Sequence, residues 1–283
     1  MSYPTIVTIG IFDGVHKGHQ VILKKLVREA RRLNLKSVAV TFDPHPVKVM
    51  RPGAEIPFLI SLKHRLKLIK KIGVDRSLVE KFTRRYSRMS AEDFVKRILV
   101  GKLNIRALVS GENFLFGFRE KGDAQLLKKL SGLYGFKLYT VRPLKIAGDT
   151  VSSTRIRKAI ERGCLGLASK LMGRPISILG TVVKGKSLGR KLGFPTANID
   201  PHHEAIPPSG VYKVDVITGR GKYKGLLNIS GRKIIEVHIL NFSRWIYGMD
   251  IEVIFKTKIR EEKRFKSLEA LKRQIALDIQ KSS

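Results

Sequence analysis

The sequence predicts two domains in series: an α/β domain built on a parallel, doubly wound sheet, then an antiparallel all-β domain closed by a helix. Three observations carry this. Up to about residue 173, short β-branched runs alternate with helical patterns, the order that builds a parallel sheet with helices on both faces. Beyond Gly173-Arg174-Pro175, strand signals follow one another without helices between them, punctuated by Gly, Pro and Asn. That texture describes an antiparallel barrel or sandwich. The chain of 283 residues is also long enough for two compact cores. The expected domains are 1–173 and 174–283.

The elements follow from their periodicities. Thr5–Gly10 reads as the first strand. From Lys17 to Leu33 the apolar residues Val21, Ile22, Leu26, Val27, Ala30 and Leu33 recur at three- and four-residue steps, which marks an amphipathic helix. Ser37–Phe42 is the second strand, and an irregular Pro-containing stretch fills Asp43 to Pro57. A helix near Leu62–Ile72 and a strand near Ser77–Phe82 come next. Ser90 and Asp93 form a capping box opening a helix to about Val100. Ile105–Ser110, Ala124–Leu133 and Phe136–Val141 supply strand, helix and strand. In the second half Ile176–Val183, Gly210–Thr218, Tyr223–Ile229, Ile234–Leu240 and Met249–Phe255 read as strands. Ser267 caps a last helix with Leu268, Leu271, Ile275 and Ile279 on one face.

Composition narrows the class. Hydrophobic residues make up 43% and the mean hydropathy is −0.08, as in soluble globular proteins. No apolar run approaches the roughly 18 residues of a membrane span, so no membrane association is expected. Met1 to Gly10 lacks the pattern of a signal peptide. Cys164 is the single cysteine, which excludes an intrachain disulfide and fits a cytoplasmic setting. The net charge is +33, with 35 basic against 13 acidic residues up to Gly173 and 21 against 10 after it. So diffuse an excess steers anionic ligands, phosphorylated small molecules as readily as nucleic acid. Aromatic residues are only 7% and do not interleave with a basic stripe. Nucleic acid is therefore expected to bind weakly and without sequence preference. Oligomeric state is not readable.

The segment Gly10-Ile11-Phe12-Asp13-Gly14-Val15-His16-Lys17-Gly18-His19 lies between the first strand and first helix. A Gly-rich turn there aims backbone N–H groups and a helix N-terminus at a ligand, which suits an anion. His16 and His19, three apart, share one side of the opening turn, with Gly18 permitting close approach. Imidazoles there can donate to a phosphate chain as charge grows on a leaving pyrophosphate. Zinc would need further ligands, and none cluster nearby. Ser152, Ser153 and Thr154 precede a helix starting near Arg155, so hydroxyls, free N–H groups and a guanidinium converge in a cradle for a triphosphate.

The His-x-Gly-His pattern resembles the nucleotidyltransferase superfamily. The whole string from Gly10 to His19 resembles the FAD synthetase (FMN adenylyltransferase) domain of bacterial bifunctional riboflavin kinase/FAD synthetases. Thr41-Phe42-Asp43-Pro44-His45-Pro46, Gly111-Glu112-Asn113-Phe114-Leu115-Phe116-Gly117 and Val151-Ser152-Ser153-Thr154-Arg155-Ile156-Arg157 match further motifs of that family in order. The resemblance implies a Rossmann-like nucleotidyltransferase domain. In it His16 and His19 stabilise the transition state at the α-phosphate. Gly10, Phe12, Gly18, Asn113, Ser152, Thr154, Arg155 and Arg157 hold ATP, while Phe114 and Phe116 contact the flavin. Leu115 stands where the family often has Arg.

In the second half, Gly180 to Gly193 is a strand running into a Gly- and Lys-rich loop, a plausible flap over phosphates through Gly180, Lys186 and Gly189. It is not a Walker A motif. Phe194-Pro195-Thr196-Ala197-Asn198 resembles the signature of riboflavin kinase, and oxygens of Thr196 and Asn198 alternate onto one face, where both can reach a hard Mg²⁺. Gly210-Val211-Tyr212, Glu236-Val237-His238, Tyr247-Gly248 and Ile259 to Phe265 also match in order. The resemblance implies a six-stranded antiparallel barrel with a C-terminal helix, Glu236 as catalytic base, Arg260 at the flavin, and ATP, riboflavin, FMN and FAD as substrates or products. Ser230-Gly231-Arg232-Lys233 runs almost directly into the Glu236 strand where the family has a longer loop. A tight hairpin with Gly231 at positive φ is expected, and with it a weaker kinase half. The alternatives are a FAD synthetase with a weak or inactive kinase domain, or a nucleotidyltransferase for another phosphate acceptor.

Overall fold

The structure is a computed structural model. It describes the chain apart from residues 2, 55, 186–188, 190–192, 203–204, 232–233 and 282–283. Two compact units emerge: Met1–Ile56 with Leu62–Ser153, and Pro57–Ser61 with Thr154–Ser283.

The first unit holds a five-stranded sheet in the order β3-β2-β1-β4-β5, every neighbouring pair parallel. The strands are β1 (Thr5–Ile9), β2 (Lys36–Asp43), β3 (Arg76–Lys81), β4 (Ile105–Gly111) and β5 (Lys137–Val141). Helix α1 (Lys17–Leu33) crosses from β1 to β2, and α3 (Leu62–Ile72) leads into β3. The short helices α2 (Pro46–Met50) and α4 (Arg84–Ser87) were not foreseen. Because β1 lies between β2 and β4, the chain reverses its winding there. Such a switch point opens a crevice at the carboxyl ends of the strands. Val7, Ile9, Val38, Val40 and Leu108 form the core on the sheet, with Leu99, Leu103, Leu127 and Leu130 packed onto it. The last two belong to α6 (Ala124–Tyr134).

The N-cap bond of the expected capping box forms: Ser90 Oγ accepts from the Asp93 N–H at 3.0 Å. The helix it opens, α5 (Ala91–Asp93), passes at once into a π-helical stretch, Phe94–Lys102. The sequence periodicity missed this. The wider turn brings Phe94, Val95 and Leu99 together onto the buried side. A two-stranded hairpin of β6 (Lys145–Ile146) and β7 (Asp149–Thr150) was also missed. Ala147 and Gly148 both take positive φ at its turn, the backbone that suits a two-residue hairpin.

The second unit contains α7 (Ser153–Glu161, counted from its last unit-one residue), α8 (Leu165–Met172) and a closed barrel in the order β10-β11-β12-β9-β8-β13. Those strands are β8 (Ser177–Val183), β9 (Ala197–Asp200), β10 (Gly210–Thr218), β11 (Gly221–Ile229), β12 (Ile235–Ile239) and β13 (Asp250–Arg260). Closure selects barrel over sandwich. Alternation is plain on β12, where Ile235, Val237 and Ile239 are buried and Glu236 and His238 are not. Helix α9 (Leu268–Gln280) closes the chain, and Ser267 Oγ accepts from the Ala270 N–H at 3.2 Å. The segment before β12 closes as a tight hairpin, the Ser230 N–H donating to the Ile234 carbonyl at 3.0 Å. Gly231, however, is not in the left-handed region.

Gly180 lies in β8, packed against β9. A Cβ there would stand 2.4 Å from the Asp200 carbonyl oxygen, a clash with backbone that no rotamer relieves. Gly180→Ala should therefore destabilise the barrel by about 1–3 kcal/mol, the range of core overpacking. Urea unfolding followed by Trp245 emission reads it, and an unchanged midpoint would show that β9 yields freely.

Candidate active sites

The turn after β1 is strained. Phe12, Gly14 and Val15 all have positive φ, at 52°, 80° and 41°. Val15 is β-branched, for which such a backbone is a true outlier, and strain of this kind concentrates at functional sites. Surrounding bonds hold it: Val15 N–H donates to the Phe12 carbonyl at 2.9 Å, and Gln20 Nε2 donates to the Val15 carbonyl at 2.9 Å. The result delivers His16 to the N-cap of α1, where its Nδ1 accepts from the His19 N–H at 3.3 Å.

The two imidazoles stack, centroids 3.6 Å apart and planes 18° from parallel. The Phe12 ring meets His19 edge-on at 5.4 Å. It also lies against Gly10, where a Cβ would stand 3.1 Å from that ring. Phe12 thus braces the histidines with its buried side chain and has only backbone to offer a phosphate. Gly18 keeps the turn open; a Cβ there would approach the His16 ring at 3.2 Å. His19 Nδ1 is shut away from solvent without a hydrogen-bond partner. Burial, then repulsion from His16 and Arg65, push the His19 pKa well below its ordinary value.

The folded chain therefore resists a proton that unfolded His19 accepts below about pH 6.5. With more protons bound in the unfolded state, stability falls as pH drops through that range. Between pH 7.5 and 5.5 this one group should remove about 1 kcal/mol from the first unit. His19→Gln should flatten that part of the fall in urea unfolding. Equal pH dependence in both proteins would assign the effect elsewhere.

Arg65 on α3 went unnoticed in the sequence, one cation among many. The structure buries it, with Nη1 donating to Thr41 Oγ1 at 3.1 Å and Thr41 Oγ1 in turn donating to the Ile11 carbonyl at 3.1 Å. Burial lowers its pKa while nearby Asp13 and Asp43 oppose that. Only burial could have distinguished it, and a single sequence does not show burial of a cation.

Beside this turn lies a cavity of about 420 Å³ lined by Ile9, Gly10, Phe42, Phe82, Phe94, Phe114 and Phe116, among others. Phe114 and Phe116 stack at 5.5 Å, 7° from parallel. Gly117 and Gly122 let this segment lie on α5: a Cβ at either would come within 2.9 Å of Ala91. Leu115 is half exposed at the rim and Asn113 is exposed on the turn after β4. Ser153 Oγ donates to the Asp13 carbonyl at 3.1 Å, tying the late motif to the first turn. Ser152 is half-buried just ahead of α7, where Thr154, Arg155 and Arg157 occupy the first turns. Arg157 Nε donates to the Pro57 carbonyl at 2.8 Å.

On the barrel, register does the assembling. Glu236 on β12 lies opposite Asn198 on β9 and opposite Asn228 on β11, so three polar side chains share one patch. Glu236 borders a cavity of about 320 Å³ with Thr196, Asn228, Arg260, Phe265 and Ile275. Arg260 is fixed there by a bidentate pair with buried Asp278 of α9, Nη2 to Oδ2 at 2.8 Å and Nε to Oδ1 at 3.1 Å. Thr196 also borders a second cavity of about 280 Å³, with Phe242, Trp245 and Tyr247. The Thr196 segment is pinned by His238 Nδ1, 2.8 Å from the Pro195 carbonyl. The loop glycines lie directly over it. A Cβ on Gly189 would fall 2.9 Å from Thr196 Oγ1, and one on Gly185 would collide with the Asn198 amide. Lys186, the flap cation, lies outside the described residues.

A hydroxyl, an amide oxygen and a carboxylate gathered beneath glycines form a hard-oxygen donor set that fits Mg²⁺. Groups of three or more His, Cys, Asp or Glu suited to a metal are absent among the described residues. No described helix is long and apolar enough to cross a membrane.

Comparisons with known proteins match the two parts of the chain to two different families. A family model described as FAD synthetase matches residues 1–155, and one described as riboflavin kinase matches residues 172–283. A protein of Escherichia coli (strain K12) named bifunctional riboflavin kinase/FMN adenylyltransferase is 38% identical over 281 residues, covering 96% of this chain and 90% of that protein. A relative of the same name from Pseudomonas fluorescens is 38% identical over 282 residues, covering 97% and 90%. A crystal structure from Streptococcus pneumoniae titled macrolide-efflux protein superposes with a TM-score of 0.86 at 29% identity, covering 100% of this chain and 94% of that one. With both family models in series and relatives alike along nearly its whole length, the chain belongs to the bifunctional riboflavin kinase/FMN adenylyltransferase family.

Proposed function

We propose that the chain phosphorylates riboflavin to FMN and adenylylates FMN to FAD, each at its own site, with the functional boundary at 173/174. The observation that supports this is that each half carries its own cavity, one beside the His16–His19 turn and one bordered by Glu236. In the first half the FMN phosphate attacks the α-phosphorus of ATP and pyrophosphate leaves. No protein nucleophile is needed, so the work is positioning and charge stabilisation. His16 and His19 donate to the phosphates, a neutral imidazole still offering one N–H. Gly10, Gly18, Asn113, Ser152, Thr154, Arg155 and Arg157 hold the nucleotide, and buried Arg65 supplies a fixed positive charge. Phe114 and Phe116 wall the flavin ring.

In the second half Glu236 accepts the proton of the ribityl hydroxyl as it attacks the γ-phosphorus. Arg260 orients the flavin, Lys186 and Gly189 belong to the phosphate flap, and Gly180 lies in the strand that leads into it. Thr196 and Asn198, with Glu236 alongside, would hold Mg²⁺, which when bound neutralises charge on the triphosphate. The cytoplasm is the fitting compartment for these soluble substrates.

Purified protein given Mg²⁺-ATP and riboflavin should yield FMN and then FAD, and with FMN only FAD. Unchanged FMN in the second tube would reject the adenylyltransferase reading. The short hairpin at Ser230–Ile234 favours a second reading, in which the kinase half is the weaker. Relative efficiencies in the same assay separate the two.

A further inference from the structure

Trp245 is the chain's one tryptophan and is 69% exposed. It sits between β12 and β13 on a loop with two more aromatics, Phe242 and Tyr247. The Tyr247 ring braces it at 4.7 Å and 62°, and the exposure of the indole leaves ring surface open to a ligand. All three rings border the 280 Å³ cavity, whose floor is apolar Val182, Val237 and Ile239 and whose edge carries Thr196, Ser243 and Arg244.

Thr196 is common to this cavity and the one containing Glu236. If the attacking hydroxyl approaches from the Glu236 side, the transferred phosphate lies near Thr196 and the rest of the donor extends into the other cavity. What must fit there is the flat, polarisable end of a nucleotide. An apolar floor with an exposed, braced indole at the mouth is a stacking platform for such a ring.

We propose that Trp245 stacks on the nucleobase of the phosphoryl donor and sets the preference of the kinase half for purine over pyrimidine triphosphates. A purine covers more of the indole face than a pyrimidine does, and Arg244 beside it adds a cation to the same edge. This rests on the reading of Glu236 as the base, and the experiment keeps the two separable.

Because no other tryptophan is present, emission of the full-length protein reports this cavity alone. Mg²⁺-ADP, added without flavin, should quench or shift it, and Mg²⁺-CDP should do so only at much higher concentration. Trp245→Ala should raise KM for ATP in riboflavin phosphorylation about five- to hundredfold, the range of one base–aromatic stack. KM for riboflavin should hold, and Trp245→Phe should recover most of the loss. FMN adenylylation on the same preparations reports that the chain is folded. Emission indifferent to Mg²⁺-ADP, or a KM for ATP unmoved in Trp245→Ala, overturns the stacking role while leaving the kinase reading intact. Absence of riboflavin phosphorylation by the unaltered protein overturns both.

Discussion

His19→Ala should lower FAD formation from FMN by about two to three orders of magnitude, the cost of deleting one transition-state donor in a preorganised site. The site is preorganised in a specific sense. Stacking on His16, whose ring the N-cap bond holds, and the Phe12 edge fix the imidazole before any substrate arrives. Its donor thus needs no reorganisation when charge develops on the pyrophosphate, and alanine removes the donor and leaves water. The loss should fall on kcat, because the contact strengthens only as charge develops. Riboflavin phosphorylation should persist, since Glu236 and its cavity belong to a separately cored unit. Steady-state rates of both reactions on one preparation check this. Equal loss of both activities in a folded protein would mean a single shared site.

Glu236→Gln should do the reverse, cutting FMN formation from riboflavin by about 10²–10⁴-fold, the usual weight of a general base. Glutamine is nearly isosteric, so the β9–β12–β11 pairing and the patch with Asn198 and Asn228 should survive. What disappears is the ability to take the hydroxyl proton. Single-turnover FMN formation measures this, with Mg²⁺-ADP binding by Trp245 emission as the control for an intact nucleotide cavity. A near-normal rate would show that the hydroxyl loses its proton elsewhere, to solvent or to the phosphate itself.

The two sites were legible in the sequence to different depths. The turn carrying His16 and His19 announced itself because glycines, histidines and a strand-to-helix switch fall within ten residues, all local signals. Helix α3 was read to its observed bounds, since apolar residues at helical steps record which face is buried. Glu236 was legible only through family resemblance. Its neighbours Asn198 and Asn228 reach it through strand register, which depends on closure of the barrel and is invisible in any one strand. Arg65 and the π-helical stretch at Phe94 were missed for a related reason: both answer to packing from distant segments. The Gly231 backbone was misread because a glycine's tolerance of positive φ does not oblige it to take one.

The contrast between an open sheet and a closed barrel has a consequence for how each half fares at high concentration. A closed barrel offers no unpaired strand to a neighbouring molecule, whereas the parallel sheet ends in two, β3 and β5. Free edges invite intermolecular pairing unless something repels the newcomer. Here Arg76 and Lys81 flank one edge and Lys137 opens the other, all of them exposed. Part of the large positive charge is thereby accounted for without any ligand. Like charges at these edges repel a second copy that approaches sheet to sheet, and high salt, which screens that repulsion, is the condition under which this half would begin to self-associate.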